Sequence, residues 1–392
     1  MQTPSSSTTH DLRTGHRLDE HLDDVAEVLQ LDDARRRAAE LAASELHAWI
    51  QSNPGLQPHT PLLYPQGSFL IKTTVRPRRD GRDRDEFDLD MVVELQGGWT
   101  GTPDQLFERI WDRLHAHPTY GRYATKKRRC VCIDFPGEFH MDVLPARPDA
   151  DRRKNGHHTA IEVPDRKLHD WKESDPRSFA AWFERRCRER IKERFVSSSM
   201  SLLPEDVEAG LGALRKTVQL TKRHRDVIFN GDDDVPRSIV LTTLLADNYY
   251  GRRSTYLALR DSVERIDAWA TATNGIPRVL NPVNEEENFA EAWNSESLQE
   301  FCRFIRRFLA GLHELDQARG PQELGRLLGV LFEEDVAAMA MKKYGERQAE
   351  LFGRNEALYE PKDKGRIVVP SATAALVSES ARAVPRGTNF GG

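Results

Sequence analysis

Glu86-Phe87-Asp88-Leu89-Asp90-Met91-Val92-Val93-Glu94-Leu95 decides the fold of this chain. Its apolar and β-branched content predicts a strand, in which successive side chains point to opposite faces. Asp88 and Asp90 then share one face while Leu89 turns into the core. Two carboxylates side by side repel each other unless a cation sits between them, so the pattern reads either as a metal site or as a charged, solvated edge.

The flanking sequence favours the metal site. Downstream, Val131-Cys132-Ile133-Asp134-Phe135 and Phe139 to Leu144 enclose Pro136-Gly137-Glu138, a hairpin pattern that puts His140 and Asp142 on one face. With that hairpin beside the first strand, Asp88, Asp90 and Asp142 converge. An oxygen-only donor set suits two Mg²⁺ ions, with Mn²⁺ as the substitute, because these cations rely on a few carboxylates plus substrate phosphates. One ion would lower the pKa of an attacking hydroxyl, with Asp142 assisting, and the other would neutralise a leaving pyrophosphate. Upstream, Gly67 lets the backbone approach phosphates, the amides that open the following helix bind anions, and Ser68 would donate to the triphosphate. His140 reads as a packed neighbour of Asp142 rather than a ligand, and His157-His158 as a polar loop.

The order Gly-Ser, Asp-x-Asp, later Asp resembles the DNA polymerase beta-like nucleotidyltransferase superfamily. Within it, Gln66-Gly67-Ser68-Phe69-Leu70-Ile71-Lys72-Thr73-Thr74-Val75-Arg76-Pro77 resembles the bacterial cyclic GMP-AMP synthase/DncV-like nucleotidyltransferases (CD-NTases) of CBASS antiphage defence. Val218 to Asp226 resembles their helix with a triphosphate-binding lysine, here Lys222. Pro236 to Leu241 resembles the next helix start, where Ser238 faces the phosphates; Ser238 reads equally as an N-cap. Asn281-Pro282-Val283-Asn284 with Glu287-Asn288-Phe289-Ala290 and Trp293 resembles a further family segment. Lys222 also fits on its own chemistry: a compact cation neutralises phosphate, and Val218, Leu220, Val227 and Ile228 would hold its helix on a core. Arg225 is a secondary candidate.

The resemblance implies a cyclic di- or trinucleotide second messenger made from ribonucleoside triphosphates (ATP, GTP or both) with pyrophosphate release, and a separate effector that binds the product. The rival readings are a linear nucleotide-adding enzyme acting on an RNA or protein acceptor, and a non-enzymatic nucleotide sensor.

Composition agrees with a soluble enzyme. The 392-residue chain can bury a large core, and its net charge of −5 argues against broad attraction to DNA. Lys126-Lys127-Arg128-Arg129 reads as a solvated edge, with the border of a nucleotide cleft as the alternative. Cys130, Cys132, Cys187 and Cys302 lack zinc-ligand spacing. No apolar run suits a membrane span and the start lacks a hydrophobic signal region, which predicts a cytoplasmic protein without a membrane partner.

The predicted architecture is α+β: a polymerase beta-like nucleotidyltransferase sheet, a helical second lobe and a long N-terminal spine helix over 18–50. Residues 1–17 read as a flexible tail, 18–160 as the nucleotidyltransferase core with a helix from Thr102 to Ala116, and 161–352 as the second lobe. In that lobe Ile161 to Trp171 leads the chain across the cleft, Asp175-Pro176 opens a helix through Arg190, and helices cover Leu298 to His313 and Pro321 to Lys343. Residues 353–392 read as a tail. Its end, Phe390-Gly391-Gly392, has the unhindered terminal glycine that ubiquitin-like conjugation needs, and some of the resembled synthases are joined through such an end by ubiquitin-activating- and ubiquitin-conjugating-like partners. Conjugation at Gly392 and a plain disordered tail both stand.

Overall fold

A computed structural model describes residues 6–78, 87–135, 139–197, 204–230, 236–273 and 275–353, with short strands at 358–359, 367–368 and 382–383. Helices α1 (Ser6–Leu29) and α2 (Asp33–Gln51) precede strand β1 (Pro61–Pro65), the single-turn helix α3 (Gly67–Leu70) and strand β2 (Phe87–Leu95). Helix α4 (Pro103–His115) leads to β3 (Ala124–Lys126), β4 (Val131–Phe135) and β5 (Phe139–Pro148). The short α5 (Ala150–Lys154), then β6 (Ile161–Asp165) and β7 (Asp170–Ser174), complete this part.

A helical lobe follows, made of α6 (Pro176–Ser197), α7 (Pro204–Phe229), α8 (Ser238–Asn248) and α9 (Thr255–Ala272). The hairpin of β8 (Leu280–Asn281) and β9 (Asn284–Asn288) precedes α10 (Ser295–Gln317), α11 (Pro321–Phe332) and α12 (Glu334–Gly353). Strands β10 (Leu358–Tyr359), β11 (Ile367–Val368) and β12 (Arg382–Ala383) form a small antiparallel sheet.

The main sheet runs β1-β2-β5-β4-β3, with β6 and β7 attached through β5. β2 and β5 are parallel and their neighbours antiparallel. A parallel pair needs a crossover, and α4 lies in that connection, with its start fixed by a capping box between Thr102 and Gln105 and by Pro103 in the first turn. Phe87, Leu89, Met91, Phe139, Met141 and Val143 pack with Leu106, Phe107 and Ile110 of α4 and Leu46 of α2 in one core. Alternation along the strands therefore turns the residues at 88, 90, 140 and 142 to the face that α2 and α4 leave open.

Four boundaries differ from the sequence reading. The spine helix over 18–50 is two helices, because Asp32 takes an extended conformation and its carboxylate caps α2 at the Arg35 amide. α1 begins at Ser6, inside the segment read as a tail, and Leu18, Leu22, Val25 and Leu29 belong to the core of the helical lobe. The chain from Ile161 to Trp171 does not simply cross to the second lobe, since Ile161 and Glu162 pair with Pro148 and Arg147 and so extend the sheet past residue 160. The helix predicted from Pro321 to Lys343 is broken at Glu333, whose φ of 87° lies outside the helical region. The turn at 136–138 and the terminal Gly392 lie outside the described residues.

Candidate active site

The site is built on one register relation. β2 and β5 pair so that Asp90 stands beside Asp142 and Asp88 beside His140. Leu89 and Met141 between them are buried on the opposite face, while Asp88 is exposed and Asp90 half-buried. The three predicted carboxylates are thus brought to one strand face. Burial raises the Asp90 carboxyl to about 6, and the charges of Asp142 and Asp88 push the same way.

Gly67 lies directly against this cluster. Its φ is +57°, and a Cβ placed on it would come within 2.8 Å of Asp90 Oδ2, so both backbone angle and space require glycine. The Gln66 amide donates to the Asp90 carbonyl at 2.8 Å, which ties the loop to β2. Ser68 follows, with its Oγ 3.2 Å from Thr74 Oγ1.

α7 then holds the segment that leaves Ser68. Arg215 Nε donates to the Ile71 carbonyl, Lys222 Nζ to that of Thr73 and Gln219 Nε2 to that of Thr74, at 3.2, 3.1 and 3.0 Å. Arg223 donates to the carbonyl of Arg76. Spacings of four, three and one residues put these side chains on one flank of the helix. Arg215 and Gln219 were not singled out by the sequence reading, and Arg223 stood there only in the basic run with Lys222 and Arg225, whose bland reading is a solvated helix face; Arg223 is instead fully buried.

Lys222 is 4% exposed, and its ammonium is committed to Thr73 rather than open to the cleft. Burial lowers its pKa to about 8, with the Arg225 charge adding to the effect and Asp226 and Asp90 opposing it. Ser238 opens α8 at its first helical position, and the N-cap is Arg237, so the N-cap reading of Ser238 does not hold. Its Oγ instead accepts from Arg225 Nη1 at 2.8 Å. That bond joins the end of α7 to the start of α8.

Lys127, Arg128 and Arg129 of the basic run are exposed, in keeping with a solvated edge, but the run also carries specific ion pairs. Lys126 pairs with Glu108, and Lys127 Nζ donates to both oxygens of Asp142 at 3.0 and 3.2 Å. Arg128 and Arg129 both bind the fully buried Asp165 at 2.8 Å. Burial works against the charge on Lys127, but the hydrogen bond and charge of Asp142 outweigh it and hold the ammonium above lysine's ordinary value. Lys127 therefore occupies one flank of the carboxylate cluster as a cation supplied by the chain. Cys132, the register partner of Asp142 on β4, is pushed up to about 11 by burial and by Asp142, and stays a neutral thiol.

Among the described residues, no three His, Cys, Asp or Glu side chains are gathered closely enough to hold a metal ion as they stand. The donor set still fits divalent cations: it consists of oxygens on one face, one member is half-buried, and their mutual repulsion is the electrostatic condition that a cation relieves. His140 Nδ1 lies 3.4 Å from Asp134, in keeping with a neighbour role. The β8–β9 segment closes on the sheet from the helical side, where Arg152 donates to the Val283 carbonyl at 3.1 Å and Asn284 to Glu173 at 2.9 Å.

Known proteins resemble this chain in sequence and fold. Residues 17–186 match the family described as Second Messenger Oligonucleotide or Dinucleotide Synthetase domain. A c-di-GMP synthase of Roseivirga ehrenbergii is 29% identical over 338 residues, which cover 84% of this chain and 88% of that protein. The cyclic dinucleotide synthase CdnG of Bradyrhizobium diazoefficiens is 26% identical over 395 residues, or 92% of this chain and 90% of that one. The solved structure of that CdnG in complex with GTP superposes with a TM-score of 0.65 at 21% identity, over 84% of this chain and 99% of the other. No helix of the described residues is long and apolar enough to cross a membrane.

Proposed function

Because the chain belongs to the CD-NTase family of nucleotidyltransferases, we propose that it joins ribonucleoside triphosphates into a cyclic di- or trinucleotide second messenger, with release of pyrophosphate, in antiphage signalling. The observation that carries this reading is the lateral pairing of Asp90 with Asp142 under Gly67. It places an acceptor-only face beside a backbone that nothing larger than glycine would allow so close.

Each residue then has a task. Asp88, Asp90 and Asp142 would hold two Mg²⁺ ions, which when bound activate the attacking hydroxyl and offset charge on the departing pyrophosphate. Asp90, half-buried and charge-frustrated, gains most from a cation. The Gly67 backbone and the Ser68 hydroxyl would meet the triphosphate, and the contacts from α7 keep that loop in place while nucleotides enter and leave. Lys222 serves from behind Thr73: its charge reaches the cluster, and its grip fixes the loop. Ser238 and Arg225 would face the phosphates from the other lobe. Catalysis in this scheme is positioning and charge neutralisation.

GTP is the first substrate to test, since one relative is named a c-di-GMP synthase and the solved relative holds GTP. A separate effector would read the product. The test is incubation of purified protein with Mg²⁺ and the four ribonucleotides, phosphatase treatment, and mass spectrometry of what resists. A cyclic product supports the reading, and a linear product in its place contradicts it.

A further inference from the structure

A cavity of about 190 Å³ lies between the α1–α2 junction, the Phe69–Thr74 segment and α7, and neither Gly67 nor the three carboxylates line it. Four of its lining residues are cations, Arg36, Lys72, Arg215 and Lys216, and none is acidic. Arg215 and Lys216 are partly neutralised from outside by Glu184 at 3.1 Å and Asp23 at 2.8 Å, with Glu208 3.8 Å from Arg215. Arg36 and Lys72 have no ion pair among the described residues. Lys72 is held at φ +60°, a left-handed conformation that costs a lysine energy, and its side chain is exposed at the cavity.

A second feature points to a ligand. Gln219, 2% exposed, lines the same cavity; its Nε2 is spent on the Thr74 carbonyl, and its Oε1 is buried without a hydrogen-bond partner. A buried acceptor left unpaired calls for a donor. Cations around an unpaired acceptor ask for an anion that still carries an O–H, which describes hydrogen phosphate or the monoanion of a phosphomonoester and not sulfate or a carboxylate. The volume admits such a group but falls below the roughly 300 Å³ at which whole small-molecule ligands are usually enclosed.

We propose that this cavity is a phosphate-binding site, separate from the carboxylate cluster, whose occupant acts on the catalytic loop through Thr74. Thr74 lines the cavity, accepts from Gln219 and touches Ser68 Oγ. A phosphate that engages Gln219 therefore sits one side chain away from Ser68. The binding itself does not depend on what the cleft catalyses, whereas the effect on nucleotide use rests on the function proposed above.

Gly212 provides the test. It lines the cavity from α7, and a Cβ there meets nothing within 4 Å, so Gly212→Leu enters open space and brings a better helix former. Thermal melting is followed in EDTA, which removes divalent ions, against inorganic phosphate, glycerol phosphate and sulfate, with sodium chloride matching ionic strength. The wild type and Ser68→Ala should show a saturable rise with phosphate, half-saturated at about fivefold lower concentration than with sulfate. Gly212→Leu should lose the rise, Lys72→Ala and Arg36→Ala should each weaken it severalfold, and glycerol phosphate shows whether an esterified group is accepted in place of the free ion. Product formation by Gly212→Leu in phosphate-free buffer should match the wild type, while phosphate should change the apparent KM for nucleotide in the wild type alone. A phosphate effect that survives in Gly212→Leu, equals that of sulfate, or is reproduced by sodium chloride would overturn the proposal. Melting curves read the site even in a protein that makes no cyclic product.

Discussion

Asp90 and Asp142 are register partners across the parallel β2–β5 pair, with Gly67 against the first and Lys127 bound to the second. One carboxylate is thus left charge-frustrated and the other temporarily satisfied.

That asymmetry predicts how Asp90→Asn behaves. In EDTA the variant should melt no lower than the wild type, since amide for carboxylate removes repulsion at a half-buried position. The stabilisation that Mg²⁺ gives the wild type should be lost. Thermal melting with and without Mg²⁺ checks both; a wild-type-sized Mg²⁺ effect in Asp90→Asn would remove Asp90 from the metal set.

Lys127→Met separates the internal cation from the metal. Lys127 is half-exposed, so its pair with Asp142 contributes little to stability, at most about 1 kcal/mol. Without the ammonium, Mg²⁺ no longer competes for Asp142, and half-saturation should fall severalfold in a titration of Mg²⁺-dependent pyrophosphate release. An unchanged midpoint would mean that Lys127 and the ion do not share Asp142.

Arg223 anchors the loop after Ser68 to the core. It is fully buried and binds Glu333 as well as the Arg76 carbonyl. Arg223→Ala strips the Arg76 carbonyl of its donor and leaves Glu333, 14% exposed, with Arg78 alone at 3.4 Å, so it should cost about 1.5–3 kcal/mol by denaturant unfolding. Arg223→Lys should recover only part of this, because an ammonium cannot span both partners as the guanidinium fork does.

His224 gives the fold an acid limit. It is 1% exposed, stacks on Phe308 with centroids 4.1 Å apart, and meets the Leu331 carbonyl at 3.0 Å. Burial lowers its pKa from 6.5 to about 4. The unfolded chain then binds the proton more readily between those values, so the contribution is complete above pH 6.5 and is lost as pH falls towards 4. The loss amounts to about 3 kcal/mol at the low end. His224→Phe should flatten the stability profile in this window, and an unchanged slope would contradict the assignment.

Much of the site was legible because its elements obey short-range rules. Period-two alternation put Asp88 and Asp90 on one face, and the hairpin pattern added Asp142; β2, β4 and β5 bear both out. The helix read from Thr102 to Ala116 matches α4 to within a residue at each end. The rest depends on long-range partners. Nothing near Lys127 in sequence says that its ammonium meets Asp142, and nothing in α7 says that Arg215, Gln219, Lys222 and Arg223 bind the carbonyls of a loop about 145 residues earlier. The breaks at 30–32 and at Glu333 were missed because helical periodicity continues on both sides of a short interruption.

The most direct test of the account compares wild type and Asp90→Asn, both verified as folded, in conversion of α-labelled GTP and ATP with Mg²⁺ to a phosphatase-resistant product. The account predicts a cyclic nucleotide from the wild type with matching pyrophosphate release, and a drop of at least about a hundredfold in the variant. Equal product from both proteins would contradict it.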